Sequence, residues 1–296
     1  MQFMDSSLLH GDNDVQAMRE LRERIASKST IVDFDEQILL SSIRETTRIW
    51  NQDNKIVGFA FVDEYNNLWF ETETEFALLD ELETEIVKWG INCIKRRNAE
   101  TSLDTTLDCT CNVDDNHRIS VLKKHGFVPE KVRSLRYSRP LNEPIVEYLL
   151  PSGFSIRCVK GKDEVEQLVA LHQAAFGTNN MTIEYRLAMM DASQYVREID
   201  LVAVTPNGEL TAFCVCGFDD PEKKVGYTDP IGTHPSYQKI GLGKALVSAG
   251  LIALKNAGAN TVRLGTSSDN IAMQKLAREL GFICVSEKLW FSKSVS

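Results

Sequence analysis

Residues 233–247 have the residue types of an anion-binding loop. They read THPSYQKIGLGKALV and join the end of a predicted strand to the start of a predicted helix. Gly241 and Gly243 allow the backbone to turn tightly and to approach a ligand closely. The N–H groups at a helix start have no intrahelical acceptor, and together with the helix dipole they favour a negative charge. Because Lys239 and Lys244 add positive charge, the segment predicts a pyrophosphate site; the alternative is an ordinary tight turn.

The elements that must position this loop follow one another in mixed order. Strands are predicted at residues 154–159, 201–205, 210–218, 225–233, 261–265, 283–287 and 289–293, and helices at 163–176, 183–190, 241–256 and 272–280. Pro206-Asn207-Gly208 predicts a hairpin turn between two of the strands. The order indicates an α/β (α+β) fold, with a largely antiparallel sheet that carries helices on its faces.

The complete pattern Gln238-x-x-Gly241-x-Gly243, after a strand that ends in Thr-His-Pro, resembles the GNAT superfamily of N-acetyltransferases. The resemblance covers residues 153–293, including the helix opened by Asn270 and the Gly281-Phe282 ending. It implies direct transfer of an acyl group, usually acetyl, from CoA to an amine, without a covalent enzyme intermediate. Acetyl-CoA is then the expected cosubstrate, and no metal is expected.

The resemblance also implies roles for individual residues. The backbone of Ile231, Gly232 and Thr233 would pair with the pantetheine arm and hold the thioester carbonyl, and Asn270 would hydrogen-bond the CoA arm. The pyrophosphate would be cradled by Gln238, Lys239, Ile240, Gly241, Leu242, Gly243 and Lys244.

A base is needed because the acceptor ammonium must lose its proton before it attacks. Many family members carry the base on the strand before the loop, where the candidates here are Tyr227 and Asp229. Strand alternation predicts that side chains 225, 227, 229, 231 and 233 share one face. A partly apolar cleft raises the pKa of a carboxylate, so we expect Asp229 to be the base. The alternative is a polar residue that caps, orients or binds the amine.

One position departs from the family pattern. Many members place a tyrosine about two turns after the asparagine, where it protonates the departing thiolate, and here that position is Ala277. A thiolate with a pKa near about 8.5 is a tolerable leaving group, so an acid is helpful rather than obligatory. Tyr227 or water could take its place.

Two blocks of sequence echo each other. Residues 114–127 read DDNHRISVLKKHGF and residues 269–282 read DNIAMQKLARELGF, so that Asp114 aligns with Asp269 and Leu122 with Ala277. In each block an acidic or amide residue opens an amphipathic helix that a glycine ends. The repetition predicts two tandem GNAT domains, residues 1–148 and 149–296, each a mixed, mostly antiparallel sheet flanked by helices.

The first copy lacks the features of a cofactor loop. Seven acidic side chains and no glycine or basic residue occupy residues 71–85, where the loop should lie. Such a loop would repel a pyrophosphate. We therefore predict a degenerate N-terminal GNAT-like domain, an arrangement similar to that of the mycothiol synthase group.

Composition narrows the function classes. The 296 residues are 43% hydrophobic and 25% charged, as in a folded globular protein, and the start has no basic region followed by an apolar stretch. The net charge of −9 argues against nucleic-acid binding, no apolar run is long enough for a membrane span, and seven cysteines without framework spacing indicate free thiols in a cytoplasmic protein.

Three functional hypotheses follow. The leading one is an N-acetyltransferase whose C-terminal domain moves acetyl from acetyl-CoA to a primary amine of a small molecule. The alternatives are a catalytically weak acyl-CoA sensor, which Ala277 favours, and an acetyltransferase for a protein N-terminus or lysine. A homodimer is possible, and nothing in the sequence selects the acceptor.

Overall fold

The computed structural model of the protein describes residues 4–25, 31–53, 55–192, 194–220, 222 and 224–295. The chain divides into two compact units, one from residues 1–133 with 288–296 and the other from residues 134–287. Within the described residues, no helix combines the length and the apolar character that a membrane crossing requires.

In the described residues of the first copy, eleven helices and strands lie between Asp5 and Pro140. They are β1 (Asp5–Leu8), α1 (Asp12–Arg24), α2 (Ile31–Ile38), α3 (Ser41–Thr46), β2 (Arg48–Gln52), β3 (Lys55–Val62), β4 (Leu68–Thr72), α4 (Leu79–Thr101), β5 (Leu107–Asn112), α5 (Asn116–Lys124) and β6 (Val128–Pro140). Strands β1 to β4 form an antiparallel sheet in that order.

The second copy repeats this order of elements apart from α3. It runs β7 (Ser155–Cys158), α6 (Val165–Phe176), α7 (Ile183–Asp191), β8 (Leu201–Val204), β9 (Leu210–Asp220), β10 (Val225–Thr233), α8 (Leu242–Asn256), β11 (Thr261–Ser267), α9 (Ile271–Glu279) and β12 (Ile283–Lys293). Strands β7 to β10 are antiparallel, β10 and β11 are parallel, and β11 pairs antiparallel with residues 134–140 of β6.

The two copies match residue for residue at their most similar block. The α5 helix is capped by Asp115, whose Oδ1 accepts a hydrogen bond from the Arg118 N–H at 3.0 Å. The α9 helix is capped in the same way by Asn270, with the Met273 N–H at 3.0 Å. Positive-φ glycines, Gly126 and Gly281, follow the two helices. The repeated order and the mostly antiparallel strands confirm the predicted fold class, with two GNAT-like domains.

The last strand of each copy, β6 in the first and β12 in the second, is divided between the two units. Residues 288–293 of β12 pair with β5 in the first unit, and residues 134–140 of β6 pair with β11 in the second. The second unit therefore begins at Ser134, because residues 134–140 lie along the whole of β11. The boundary near residue 148 stays a prediction about the duplicated sequence copies.

The core of the second unit lies on both faces of its sheet. On one face, hereafter the α8 face, α8 and α9 bury residues that include Leu246, Leu251 and Ala277 against the strands. On the other, the α6 face, α6 and α7 pack residues that include Leu168 and Met189 against Phe213. Both layers hold the strand ends around the predicted loop in place.

All seven cysteines are free thiols. Burial raises the pKa of Cys109 to about 12 and of Cys111 to about 11, so these thiols stay protonated at neutral pH. Cys214 and Cys216 lie buried side by side with their sulfur atoms 3.6 Å apart. In the part of the chain that the structure describes, no three His, Cys, Asp or Glu side chains are grouped as metal ligands.

Candidate functional site

The parallel strands β10 and β11 separate part of the way along their length. They pair at Val225 with Thr261, Gly226 with Val262 and Tyr227 with Arg263, and the structure shows no further pairing between these described strands. Beyond that point β10 stays on β9 as far as Thr233, while β11 stays on β6 as far as Ser267. The divergence opens a fork whose β10 side is the backbone of residues 229–233.

A β-bulge interrupts β10 at the fork. Thr228 pairs with Cys216 and Ile231 with Cys214, so β10 advances three residues while β9 advances two. The prediction that side chains 225, 227, 229, 231 and 233 share one face is therefore wrong. Tyr227 packs on the α6 face, whereas Ile231 packs on the α8 face. Pro230 inside the strand was the sequence signal for this bulge, because a proline within a sheet favours bulges and edges.

Asp229 extends from the bulge across to β11. A Cβ atom built on Gly265 would lie 2.9 Å from Asp229 Oδ2, so the carboxylate lies directly on the glycine. The residue is exposed and lies just past the Tyr227–Arg263 pair, where the two strands separate. This point is hereafter called the mouth of the fork. This is the position of a carboxylate that can meet a ligand entering between the two strands.

Tyr227 extends in the opposite direction, over β9. A Cβ atom on Gly217 would lie 2.5 Å from the Tyr227 hydroxyl and 2.6 Å from its Cζ, so the ring lies flat on that glycine. The ring also contacts the core cluster formed by α6 and α7. The two predicted catalytic residues thus both belong to β10, but the Asp229 side chain lies over β11 and the Tyr227 side chain lies over β9. The sequence analysis identified neither of the two glycines.

Arg263 and Asp219 form an ion pair on strands that flank Tyr227. The Arg263 Nη1 atom lies 2.6 Å from Asp219 Oδ2, and the Asp219 side chain is 7% exposed against 39% for Arg263. Arg263 lies two residues before Gly265 on the same strand, so both are on one side of it. Arg263 therefore projects from the side of β11 on which the Asp229 carboxylate meets Gly265, a feature that the sequence analysis missed.

The predicted anion loop has the backbone that its sequence implies. Gly241 has a φ of 95° in the left-handed region and is the N-cap of α8, which begins at Leu242. Lys239 also has a positive φ of 65°. Among the residues that the structure describes, no side chain caps this helix, so the first N–H groups of α8 remain available to an anion.

Side chains around the loop are more engaged than predicted. Gln238 donates its amide N–H to the Thr233 carbonyl at 3.2 Å and so ties the loop to the end of β10. Lys244 lies 2.7 Å from Glu279 on α9 and 4.2 Å from the centre of the Tyr148 ring. Its hydrogen bond to Glu279 raises the pKa of Lys244. The charge of Lys244 is therefore largely balanced, and Lys239 is the exposed lysine of the pair.

The backbone of residues 231–233 lies along the fork. Gly232 is covered on the α6 face by the Phe213 ring, which a Cβ atom would approach within 2.5 Å. Phe213 stacks on His172, which stacks in turn on Phe176, with ring centroids 5.2 Å and 4.6 Å apart. Burial, followed by the charge of Arg186, lowers the pKa of His172 to about 4. A neutral aromatic layer therefore supports the strand from behind.

The last helix places its two notable residues differently. Asn270 is exposed, and its Oδ1 accepts a hydrogen bond from the Met273 N–H in the first turn of α9. Ala277 is completely buried in the core of the α8 face, and Leu276 lies near Gly243 instead. The position at which the family pattern has a tyrosine is thus filled by a methyl group inside the core.

The corresponding region of the first unit is occupied by its own side chains. Arg118 lies with its guanidinium carbon 3.5 Å from the centre of the Phe70 ring and donates to the Phe70 carbonyl at 3.4 Å. Glu71 pairs with Arg22 at 3.3 Å, and Glu73 with Arg24 at 2.9 Å. Two of the acidic residues predicted to repel a pyrophosphate are therefore ion-paired within the fold.

Comparison with known proteins identifies the second copy. Residues 165–282 match the model of the Acetyltransferase (GNAT) family. The mycothiol acetyltransferase of Arthrobacter sp. (strain FB24) is 32% identical over 169 residues, which are 54% of this chain and 51% of that protein. That of Paenarthrobacter aurescens (strain TC1) is 34% identical over 142 residues, 45% of this chain and 44% of the relative. The chain thus spans about half the length of the curated relatives it matches.

Solved structures share the fold of the whole chain. A tandem GNAT protein from the clavulanic acid biosynthesis pathway has a TM-score of 0.72 at 13% identity, over 100% of this chain and 99% of that one. A GCN5-related N-acetyltransferase from Sphaerobacter thermophilus has a TM-score of 0.69 at 16% identity, over 99% and 96% of the two chains. At such identities the likeness shows the fold alone.

Proposed function

We propose that this chain, which carries a GNAT acetyltransferase domain over residues 165–282, transfers acetyl from acetyl-CoA to a primary amine of a small molecule. The observation that carries the proposal is the fork between β10 and β11 with the uncapped start of α8 beside it. A fork leaves backbone groups of one strand without a strand partner, and a helix start binds phosphate oxygens. Together they fit a long polar arm that ends in a pyrophosphate.

The residues present fit acetyl-CoA at each part of its length. The N–H groups from Ile240 to Lys244 would hold the pyrophosphate, because left-handed Gly241 opens the helix without a capping side chain. The backbone of Ile231, Gly232 and Thr233 would pair with the pantetheine arm, and Asn270 would contact the arm from α9. Gln238 would act indirectly, since its side chain holds the loop to Thr233.

Asp229 would take the proton from the acceptor ammonium. The free amine then attacks the thioester carbonyl, so that the C–N bond forms and the C–S bond breaks. The thiolate takes a proton from Tyr227 or water, which recovers one from the nitrogen as that nitrogen becomes the amide. The position of Asp229 at the mouth of the fork supports this role, because a base must reach the amine directly or through one water molecule. Buried Ala277 supplies no proton, so the acid is the weaker part of the machinery.

The names of the relatives support a small-molecule acceptor. Both are mycothiol acetyltransferases and match about half of their own length to this chain. A catalytically weak acyl-CoA sensor remains the second candidate, and the observation that favours it is the core alanine at position 277.

The test is acetyl-CoA-dependent thiol release over a panel of primary amines, with Gly241→Asp and Gly241→Asn as a matched pair. We expect amine-dependent release from the wild-type chain and none from Gly241→Asp, because a carboxylate would face the pyrophosphate. Asparagine has the same size and tolerates the left-handed backbone, so Gly241→Asn should retain measurable binding. Binding without turnover of any amine would favour the sensor, and absence of acetyl-CoA binding would reject both candidates.

A further inference from the structure

Two glycines lie beneath the two candidate catalytic side chains. Gly265 on β11 lies against the Asp229 carboxylate, and Gly217 on β9 lies against the Tyr227 ring. Both glycines have ordinary strand backbones, so neither is required by a positive φ. A reason other than backbone conformation is needed for the absence of a side chain at these two positions.

Space supplies that reason. A Cβ atom on Gly265 would lie 2.9 Å from Asp229 Oδ2, a separation that real Cβ atoms essentially never show. A Cβ atom on Gly217 would lie 2.5, 2.6 and 2.7 Å from three atoms of the Tyr227 side chain. Each side chain can therefore lie flat on its neighbouring strand only while that strand carries a glycine.

The bulge in β10 explains why these positions matter. The extra residue between Thr228 and Ile231 breaks the alternation of side chains, so ordinary strand geometry no longer fixes the direction of Asp229. The contact with Gly265 brings its carboxylate over to β11, two residues along the strand from Arg263. Tyr227 lies on the other side of β10, which keeps its ring from filling the mouth of the fork.

We infer that Gly217 and Gly265 are positioning residues, which place Tyr227 and Asp229 on opposite sides of β10 so that the mouth of the fork stays open to the acceptor amine. This inference rests on the proposed acetyl transfer with Asp229 as the base. Gly265 acts through Asp229, since among the described residues, its chain neighbours aside, Asp229 Oδ2 is the only atom that its Cβ atom would meet within 4 Å.

The substitution Gly265→Ala tests this directly. The conflicting atom is the far end of a flexible side chain, so the carboxylate should move while the backbone of β11 stays in place. We expect kcat to fall about ten- to a hundredfold, because a displacement of about 1 Å has such an effect on a catalytic group. The dissociation constant for acetyl-CoA should stay within about twofold, and the acid limb of the kcat–pH profile should shift.

A double-mutant cycle separates positioning from general damage. In an Asp229→Asn background the Gly265→Ala change should lower kcat little further, because its effect passes through the carboxylate that has been removed. Gly11→Ala is the matched control: its Cβ atom meets none of the described residues within 4 Å, and its kcat should equal that of the wild type. The inference would be overturned if Gly265→Ala lowered kcat by the same factor in the wild-type and Asp229→Asn backgrounds. It would also be overturned if Gly265→Ala left kcat and the pH profile unchanged.

Gly217→Ala provides an independent arm should Gly265→Ala fail to fold. We expect it to lower kcat in the wild-type background and to add nothing to Tyr227→Ala, which removes the conflicting ring; an additive effect counts against the inference. The wild-type assay comes first: if no amine is acetylated, the proposed function fails, whereas acetylation with unaffected glycine variants rejects the positioning inference alone.

Discussion

At the scale of residues, the site depends on glycines, which have no Cβ atom, as much as on charged side chains. Gly241 supplies a left-handed N-cap, whereas Gly217 and Gly265 supply room for neighbouring side chains. Lys244, by contrast, carries a charge that Glu279 already balances. The backbone N–H groups are thus better placed than the lysine side chains to provide affinity for an anion.

The variants Gly243→Asp and Gly243→Asn separate charge from size at the loop. A Cβ atom on Gly243 would lie 3.6 Å from Thr233 Oγ1 and 3.7 Å from Leu276 Cδ1, so a side chain fits in the free protein. We expect Gly243→Asp to weaken acetyl-CoA binding at least about tenfold more than Gly243→Asn, by repulsion at the helix start. Titration calorimetry measures this difference.

The same aspartate should stabilise the ligand-free protein by about 0.3–1 kcal/mol, because its negative charge is attracted to the partial positive charge at the N-terminus of α8. Thermal melting and binding should therefore move in opposite directions. Equal dissociation constants of the two variants for acetyl-CoA would show that the pyrophosphate does not bind at the start of α8.

At the scale of elements, local capping and packing explain how the helices begin and why they stay in place. Asn270 and Asp115 open α9 and α5 with the same hydrogen bond at corresponding positions. The aromatic layer of Phe213, His172 and Phe176 fixes α6 against the strand that lines the fork. Each feature gives a separable prediction, because one concerns a helix end and the other a buried face.

Replacement of Asn270 distinguishes a cap from a ligand contact. Asn270→Ala should lower the free energy of unfolding by about 1 kcal/mol, since it removes the acceptor of the Met273 N–H. Asn270→Asp keeps that acceptor and should retain stability, but it loses the amide donor and so should bind acetyl-CoA more weakly. Chemical denaturation and calorimetry report the two effects.

The matched control is Asp115→Ala in the first copy. It removes the equivalent cap, so we expect a similar loss of stability with no change in acetyl-CoA affinity. Wild-type affinity in Asn270→Asp would confine Asn270 to capping.

His172 should make stability depend on pH. Its native pKa of about 4 lies below the ordinary 6.5 because burial disfavours the charged ring. Between about pH 6.5 and pH 4 the unfolded chain therefore binds a proton at this histidine that the native protein does not. The free energy of unfolding has its full value from this group above about pH 6.5 and decreases as the pH falls towards 4. With allowance for partial solvent screening we expect a loss of about 1–2 kcal/mol.

The comparison is with His172→Phe, which keeps an aromatic ring between Phe176 and Phe213 but cannot titrate. Denaturant unfolding from pH 4.5 to 7.5 should show a smaller decline in this variant than in the wild type. Parallel curves would mean that His172 does not carry the effect.

At the scale of the whole molecule, the two copies share an architecture but differ in the groups that fill equivalent places. The second copy has an open fork and an uncapped helix start. The first copy has Arg118 against Phe70, and its Glu71 and Glu73 are tied to arginines of α1. The first copy is therefore expected to serve as a scaffold.

We accordingly expect one acetyl-CoA per chain. Titration calorimetry of the intact protein should give a stoichiometry of one, which Gly241→Asp should abolish. The reason is that a ligand in the first copy would have to displace Arg118 and approach Asp80 and Glu81 in the first turn of α4. Two sites per chain, or one that survives Gly241→Asp, would contradict this account of the first copy.

Much of this protein followed from short-range rules in its sequence. The glycine pattern after a strand predicted the anion loop, and the two echoing blocks predicted the duplicated fold, because caps, turns and helix periodicity depend on neighbouring residues. The boundaries of α8, α9 and β10 lie within a few residues of their predicted positions for the same reason.

The tertiary structure alone decided the direction of the side chains at the fork. One extra residue in β10 reversed the alternation that had predicted a shared face for alternate residues from 225 to 233, although Pro230 marked the place. Gly217 and Gly265 acquire their importance only when strands distant in sequence come together beside β10. Contacts of this kind depend on register between strands, which no local pattern of residues specifies.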